Sequence, residues 1–312
     1  MSTITLRATL VGSVSIFLWG TLALLTRLTD GRIPPFQMMA MTFALAFLLM
    51  SLNWWRQGHL GLRHLRQPKL AWFLSVGGYF GYHFCYFLAM TKAPAVSVSL
   101  IAYLWPLLIV LFASLLPGEH LLKRHLSGAV LALYGCWLLI GQGSDGFNPD
   151  YLGGYLLALC CAFIWSGYSV LSRLVKQVST DAAGWFCGAT ALLALLCHGL
   201  WETTVWPVSA SQWLGVIGLG LGPVGIAFFT WDYGIKHGNL QLLGVLAYSA
   251  PLISALLLVL TGLANADITL LLACLAIVSG SLIAGYQRNR SQGAEVSAPE
   301  SVYGVHQPDH RA

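Results

Sequence analysis

Charge is what this sequence has least of. Of 312 residues only 9% are Asp, Glu, Lys or Arg, while 57% are hydrophobic. Soluble domains carry about 25% charged side chains. So few cannot clothe a surface that meets water on all sides, which excludes a water-soluble globular domain. The net charge of +5 is small and is sorted by position, as described below, so it does not mark a nucleic-acid partner. The seven cysteines, at 85, 136, 160, 161, 187, 197 and 274, all fall inside apolar stretches. They lack the spacing of a metal site or of a secreted disulfide framework, and read as small buried hydrophobes. Catalytic signatures are missing as well. There is no Walker A loop, Gly-x-Ser-x-Gly elbow or His-Glu-x-x-His pair, and no paired mid-span aspartates. His83 is then the lone titrating group at mid-span, a poor basis for an intramembrane enzyme. Every polar segment is short, which argues against a sensor with an output domain. No cofactor and no metal are expected.

What the sequence has in abundance is apolar runs of membrane-spanning length, about 20 residues each. Ten are legible: Leu6 to Leu28, Pro34 to Trp54, Leu70 to Met90, Ala93 to Leu116, His125 to Ile140, Leu152 to Val175, Ala182 to Leu200, Gln212 to Trp231, Leu240 to Gly262 and Ile268 to Tyr286. The first is long enough to span and has no clear cleavage site, so it is expected to be retained rather than removed as a signal. The polar tail, 288–312, has a composition that predicts disorder. Lys and Arg concentrate on the cytoplasmic side of membrane proteins. With the N-terminus inside, thirteen of the 16 fall there: Arg7; Arg56, Arg63, Arg66 and Lys69; Lys123 and Arg124; Arg173 and Lys176; Lys236; Arg288, Arg290 and Arg311. Only Arg27, Arg32 and Lys92 fall outside. The expected protein is a multi-pass component of the cell (inner) membrane with both termini cytoplasmic and the lipid bilayer as its solvent.

The two halves of the chain repeat. Trp19 and Arg27 recur as Trp165 and Arg173, Gly78, Gly81 and Lys92 as Gly222, Gly225 and Lys236, and Ala102, Tyr103 and Pro106 as Ala247, Tyr248 and Pro251, at offsets of 146, 144 and 145. Three matches near one offset predict an internal repeat. A five-helix repeat has an odd number of spans, so its second copy must enter the membrane from the opposite side. The expected fold is therefore an all-α membrane protein of ten transmembrane helices in two inverted five-helix repeats, 1–143 and 144–287, with the tail 288–312. Inverted repeats suit a secondary transporter, because near-equivalent halves can exchange outward-open and inward-open arrangements around a mid-membrane site. Both halves lie in one chain, so a monomer is expected to suffice.

Two such halves, each with a mid-helix Trp in its first helix and a Tyr-x-x-Pro in its fourth, resemble the ten-helix EamA-type members of the drug/metabolite transporter superfamily. The resemblance covers about residues 6 to 287. Within that family, Gly77-Gly78-Tyr79-Phe80-Gly81-Tyr82-His83 and Ala102-Tyr103-Leu104-Trp105-Pro106 resemble the exporters of aromatic amino acids. The resemblance implies export from the cytoplasm. One departure concerns the small multidrug exporters of the superfamily, which place a glutamate in their first helix. Here that helix offers Ser13, Ser15 and Trp19, which puts proton exchange by that route in doubt.

The candidate substrate-binding residues follow from depth and spacing. Tyr79, Tyr82, His83 and Tyr86 stand at i, i+3, i+4 and i+7, one face of the third helix near the bilayer centre. Lipid-facing tyrosines collect at the interfaces, so such a stripe fits a cavity; helix–helix hydrogen bonding is the alternative. Trp105 sits beside Pro106, and Pro106 and Pro251 are expected to kink their helices. Trp19 and Trp165 form a pseudo-equivalent central pair, while Tyr103, Tyr248 and Ser249 stand beside the prolines. Trp54, Trp55, Trp72, Trp201, Trp206 and Trp213 lie at span ends and read as interfacial anchors. An aromatic box suits an aromatic side chain by stacking and an ammonium by cation–π attraction, with hydroxyls and His83 for a carboxylate. No Asp or Glu falls near the middle of a span, which predicts flow down the substrate gradient without tight ion coupling. Alternative cargoes are cationic drugs or other metabolites; sugar phosphates would call for central Lys or Arg, which the spans lack.

Overall fold

The computed structural model describes residues 3–118, 120–141 and 148–285. The tail 288–312, Asp145 and Tyr286 lie outside the described residues. In chain order the helical segments are α1 (Thr3–Arg27), α2 (Pro35–Arg56), α3 (69–90), α4 (Ala95–Ala113), α5 (Lys123–Ile140), α6 (Pro149–Val175), α7 (Thr180–Trp201), α8 (Ala210–His237), α9 (Leu240–Leu260) and α10 (Ile268–Gly285). Among the described residues no strand is present. Eight of these helices, all but α3 and α5, are long and apolar enough to cross a membrane. α5 is less apolar because it opens on Lys123, Arg124 and His125. α3 is less apolar because of its glycines, tyrosines and His83, the same polar stripe that the sequence singles out.

Besides α1, which is interrupted at Thr21, four helices are irregular in the middle, where proline and glycine fall. α3 winds as a π-helix over Gly77–Gly81, and α8 does so over Gly220–Ile226 with Pro223 inside. A proline lacks the N–H and clashes with the carbonyl four residues earlier, and a π-turn relieves that clash. In α4 the α-helix stops at Ala102 and restarts at Trp105; in α9 it stops at Leu246 and restarts at Ser249. Ala102 and Ala247 are the residues four before Pro106 and Pro251, so both kinks fall where the proline rings forbid continuation.

Without a hydrophobic force between helices in lipid, close approach depends on small residues. α5 lies along α10. A Cβ on Gly280 would sit 2.5 Å from the Gly128 carbonyl oxygen, and one on Gly128 equally close to Gly280 O. Gly280→Leu is expected to cost about 1–3 kcal/mol through overpacking, read as a lower thermal midpoint in detergent. Gly153→Ala, where a Cβ meets nothing within 4 Å, should leave the midpoint unmoved. α1 and α8 approach through Gly12 and Gly234 in the same way, a Cβ on Gly234 lying 2.6 Å from Gly12 Cα.

The eighth expected span stops too early. α8 runs on past Trp231 to His237 and carries Asp232 and Lys236 into the bundle, where both are buried. Lys236 is therefore not a loop cation as the charge sorting assumes, but a buried partner of Asp232. Trp54 is corrected as well: at 1% exposure it is no interfacial anchor. It stacks between His64 and Trp185, with ring centroids 6.0 and 5.5 Å away. Trp72 packs edge-on against Phe186 at 4.9 Å, whereas Trp55, Trp201, Trp206 and Trp213 are exposed. Of the cysteines, Cys136, Cys161 and Cys187 are buried but Cys160 is exposed.

Candidate functional site

A chamber of about 130 Å³ lies at, or just past, the irregular turns of α3, α4, α8 and α9. α1 contributes Trp19 and Leu22, α3 Tyr82 and His83, and α4 Tyr103 and Trp105. α6 contributes Trp165, α8 Pro223, Val224 and Phe228, and α9 Ala250. Drug-sized ligands occupy ~300–1,000 Å³, so this space fits a smaller molecule. Toward the end of the bundle that carries Arg173 and Lys236 the chamber is shut. Ile16, Tyr79, Ile109, Tyr168, Trp231, Ile235 and Leu243 are all packed there at 3% exposure or less.

Three indoles, Trp19, Trp105 and Trp165, line it, and a fourth, Trp231, packs behind them. Trp19 lies 6.0 Å from Trp105, 5.7 Å from Trp165 and 5.0 Å from Trp231, and Trp105 meets Trp231 edge-on at 5.7 Å. Their polar edges divide into two pairs. Trp19 Nε1 donates to Pro223 O at 3.1 Å, using a carbonyl in the π-turn of α8. Trp231 Nε1 donates to Ser169 Oγ at 3.1 Å. Trp105 and Trp165 have no such partner among the described residues, and their N–H groups are not among the sealed, unsatisfied atoms. They are available to a ligand in the chamber. His83 Nδ1 stands 2.7 Å from Tyr79 O. A carbonyl only accepts, so this nitrogen carries the proton, and Nε2 of the neutral ring is left as an acceptor. The chamber thus offers indole donors, an imidazole acceptor and aromatic faces.

Behind the shut side runs a buried polar chain. Tyr79 and Tyr168 hydroxyls meet at 3.1 Å. Asp232 Oδ2 accepts from Thr180 Oγ1 at 2.7 Å and from Lys236 Nζ at 2.8 Å, and Lys236 also donates to Val178 O at 3.0 Å. Arg173 donates to the carbonyls of Ile235 and Gly238 at the end of α8. Asp232 lies within α8 but near its end, so it leaves the middle of the span without a carboxylate.

The structure gathers six of the sequence candidates around the chamber: Trp19, Tyr82, His83, Tyr103, Trp105 and Trp165. Four others stand off it. Tyr79 lies beneath it on Tyr168, and Tyr86 stacks on Tyr82 and bonds Ser99 Oγ at 3.2 Å. Tyr248 is fully buried, its hydroxyl accepting from Leu107 N–H at 3.1 Å beside the Pro106 kink. Ser249 begins the second piece of α9, while the neighbouring Ala250 reaches the chamber. Phe228, Pro223 and Trp231 were not among the candidates. Their signal was present: Phe228 and Trp231 stand three apart, on one face of α8.

The chain is similar to known transporters over most of its length. A curated relative, the aromatic amino acid exporter YddG of Ancylobacter novellus, is 50% identical over 279 residues, 89% of this chain and 96% of the relative. The protein of the same name from Escherichia coli is 29% identical over 297 residues, 89% of this chain and 96% of the relative. A solved crystal structure 49% identical in sequence superposes with a TM-score of 0.86, covering 90% of this chain and 98% of the other. Together with the apolar helices, these relatives make the chain a multi-pass membrane protein. The model of the EamA-like transporter family matches it twice, over residues 6–141 and 152–286, and the chain therefore belongs to the EamA-like transporter family.

Proposed function

We propose that this protein exports aromatic and other neutral amino acids from the cytoplasm by alternating access around the indole chamber. The observation that carries this reading is the polar inventory of the chamber. A zwitterion needs donors for its carboxylate and an acceptor for its ammonium, and Trp105 and Trp165 Nε1 and His83 Nε2 are unengaged in one aromatic enclosure. The names of the curated relatives point the same way. In this proposal the ten helices α1 to α10 all span the membrane as two inverted five-helix repeats, with both termini in the cytoplasm. The double family match, the π-turns of α3 and α8 and the breaks of α4 and α9 support that pairing. The shut side is then cytoplasmic and the chamber outward-facing, in the inner membrane of the cell, with one chain sufficient for transport.

Asp232 is held by Lys236 and Thr180 and is no free carboxylate for a driving ion, which favours flow down the substrate gradient. Counterflow of labelled phenylalanine, threonine and a cationic dye in liposomes tests the reading. Phenylalanine and threonine should exchange, and their flux should persist when pH and sodium gradients are collapsed; strict dependence on either gradient overturns uncoupled export. The aromatic walls would also attract a cation, so dye exchange without amino acid exchange would favour a cationic-drug exporter.

A further inference from the structure

A second, larger cavity of about 670 Å³ lies away from the chamber, on the outer side of α2, α3 and α7. Small residues, Ala44, Gly188 and Ala189, leave a trench between the rings of Phe47, Trp72 and Trp185. No charged side chain lines it, so it has nothing to hold a zwitterion, and in a membrane it faces hydrocarbon. From Trp185 to Leu195 the α7 wall is ~15 Å long, about the depth of one leaflet's hydrocarbon. That is the shape and chemistry of a single acyl chain.

The mouth of this trench is built, not incidental. Leu65, in the segment that follows α2, forms part of its rim, and Trp185, which lines the trench, donates Nε1–H to Gly61 O at 3.0 Å. Trp54 fills the space between Trp185 and His64 as a stacked layer. Gly61 has φ +70°, and a Cβ there would lie 2.2 Å from the Trp54 ring, so the segment docks only with glycine at this point. The docked segment presents Arg66, next to Leu65, and Lys69. Both are exposed, and neither has a hydrogen bond or ion pair among the described residues. The nearby acid, Asp181, is turned to His64 at 3.7 Å. A cation pair at the rim of an acyl-sized trench matches an anionic head group.

We propose that the α2/α3/α7 trench is a specific binding site for an anionic phospholipid of the leaflet that this segment faces, with Arg66 and Lys69 receiving the phosphate. The site is separate from the chamber, so it stands or falls independently of what the protein exports. The test is native mass spectrometry of the full chain ejected from nanodiscs of equimolar phosphatidylglycerol and phosphatidylethanolamine. The wild type should retain phosphatidylglycerol about tenfold over phosphatidylethanolamine. Arg66→Gln with Lys69→Gln should remove the preference but keep a lipid, Ala189→Phe should fill the trench and remove the adduct, and Arg7→Gln should change neither. All variants should retain wild-type thermal midpoints, since Arg66 and Lys69 are exposed and Ala189 lines the trench. Equal retention of the two lipids by the wild type overturns the proposal. So does an undiminished phosphatidylglycerol adduct in a folded Ala189→Phe variant, which would place the lipid elsewhere, or retention of a free fatty acid or a second copy of the chain in its stead.

Discussion

Trp105→Phe should weaken phenylalanine counterflow about tenfold, and Trp105→Ala should reduce it further, while both variants still insert into the membrane. The two substitutions remove different things. Phe keeps a ring to pack edge-on against Trp19, Trp165 and Trp231, which lie 6.0, 6.4 and 5.7 Å from the Trp105 ring, but loses the N–H. A hydrogen bond to a charged group is worth about 1.5–3 kcal/mol, a factor of ten or more in affinity. Ala also loses three ring contacts, each worth about 0.5–1.5 kcal/mol, and leaves the chamber without one wall. If the N–H receives a carboxylate, Trp105→Phe should impair amino acids but spare a cationic dye, which has no carboxylate to place. His83→Ala should likewise depress amino acid flux. Wild-type flux in both Trp105→Ala and His83→Ala would remove the chamber from consideration as the transport site.

The second large effect is expected at Asp232 and Lys236, only 1% and 5% exposed. Breaking a buried pair strands a charge, at a cost of about 3–5 kcal/mol, whereas replacing both charges with apolar groups is often neutral or stabilising. Asp232→Asn and Lys236→Met alone should therefore lower the thermal midpoint in detergent sharply, and Asp232→Leu with Lys236→Met should restore most of it. The pair also ties the end of α8 to Val178 O, just ahead of α7, and to Thr180 Oγ1 at its start. In the stable double variant, a cysteine beside Trp231 should then react more readily with a reagent applied from the shut side. Unchanged labelling would confine the pair to a role in stability.

The parts of the fold most legible in the sequence were those that lipid dictates. Apolar length placed the helices, eight of them long and apolar enough to cross a membrane, and the spacing from Trp19 to Trp165 and from Pro106 to Pro251 runs between the two stretches that match the family model. The polar stripe on the third helix led directly to Tyr82 and His83 because a single helix face has a fixed period. What periodicity cannot supply is which of several polar positions turns toward a partner and which toward a void. Tyr79 and Tyr248 look as central as Tyr82 in the sequence, yet each is consumed by a bond to another helix, to Tyr168 OH and Leu107 N. Lys236 was misread for a related reason. A charge at a span's edge resembles loop material until its counter-charge, four residues back along the same helix, is seen to be buried with it. Trp54 shows the same limit, since a terminal indole is an anchor or a stacking layer according to what folds back over it.

The π-turns of α3 and α8 leave each helix with one residue more than its length requires. Such slack is transferable: the wide turn can creep along the axis by one peptide whenever a carbonyl exchanges its N–H partner for the next. Each creep swivels only the residue the turn passes over, by about 100°, with the hydrogen-bond tally unchanged. Tyr82, His83 and Phe228 ride just past these turns, so the chamber lining can be re-aimed by rotation about two axles while the helix ends stay anchored.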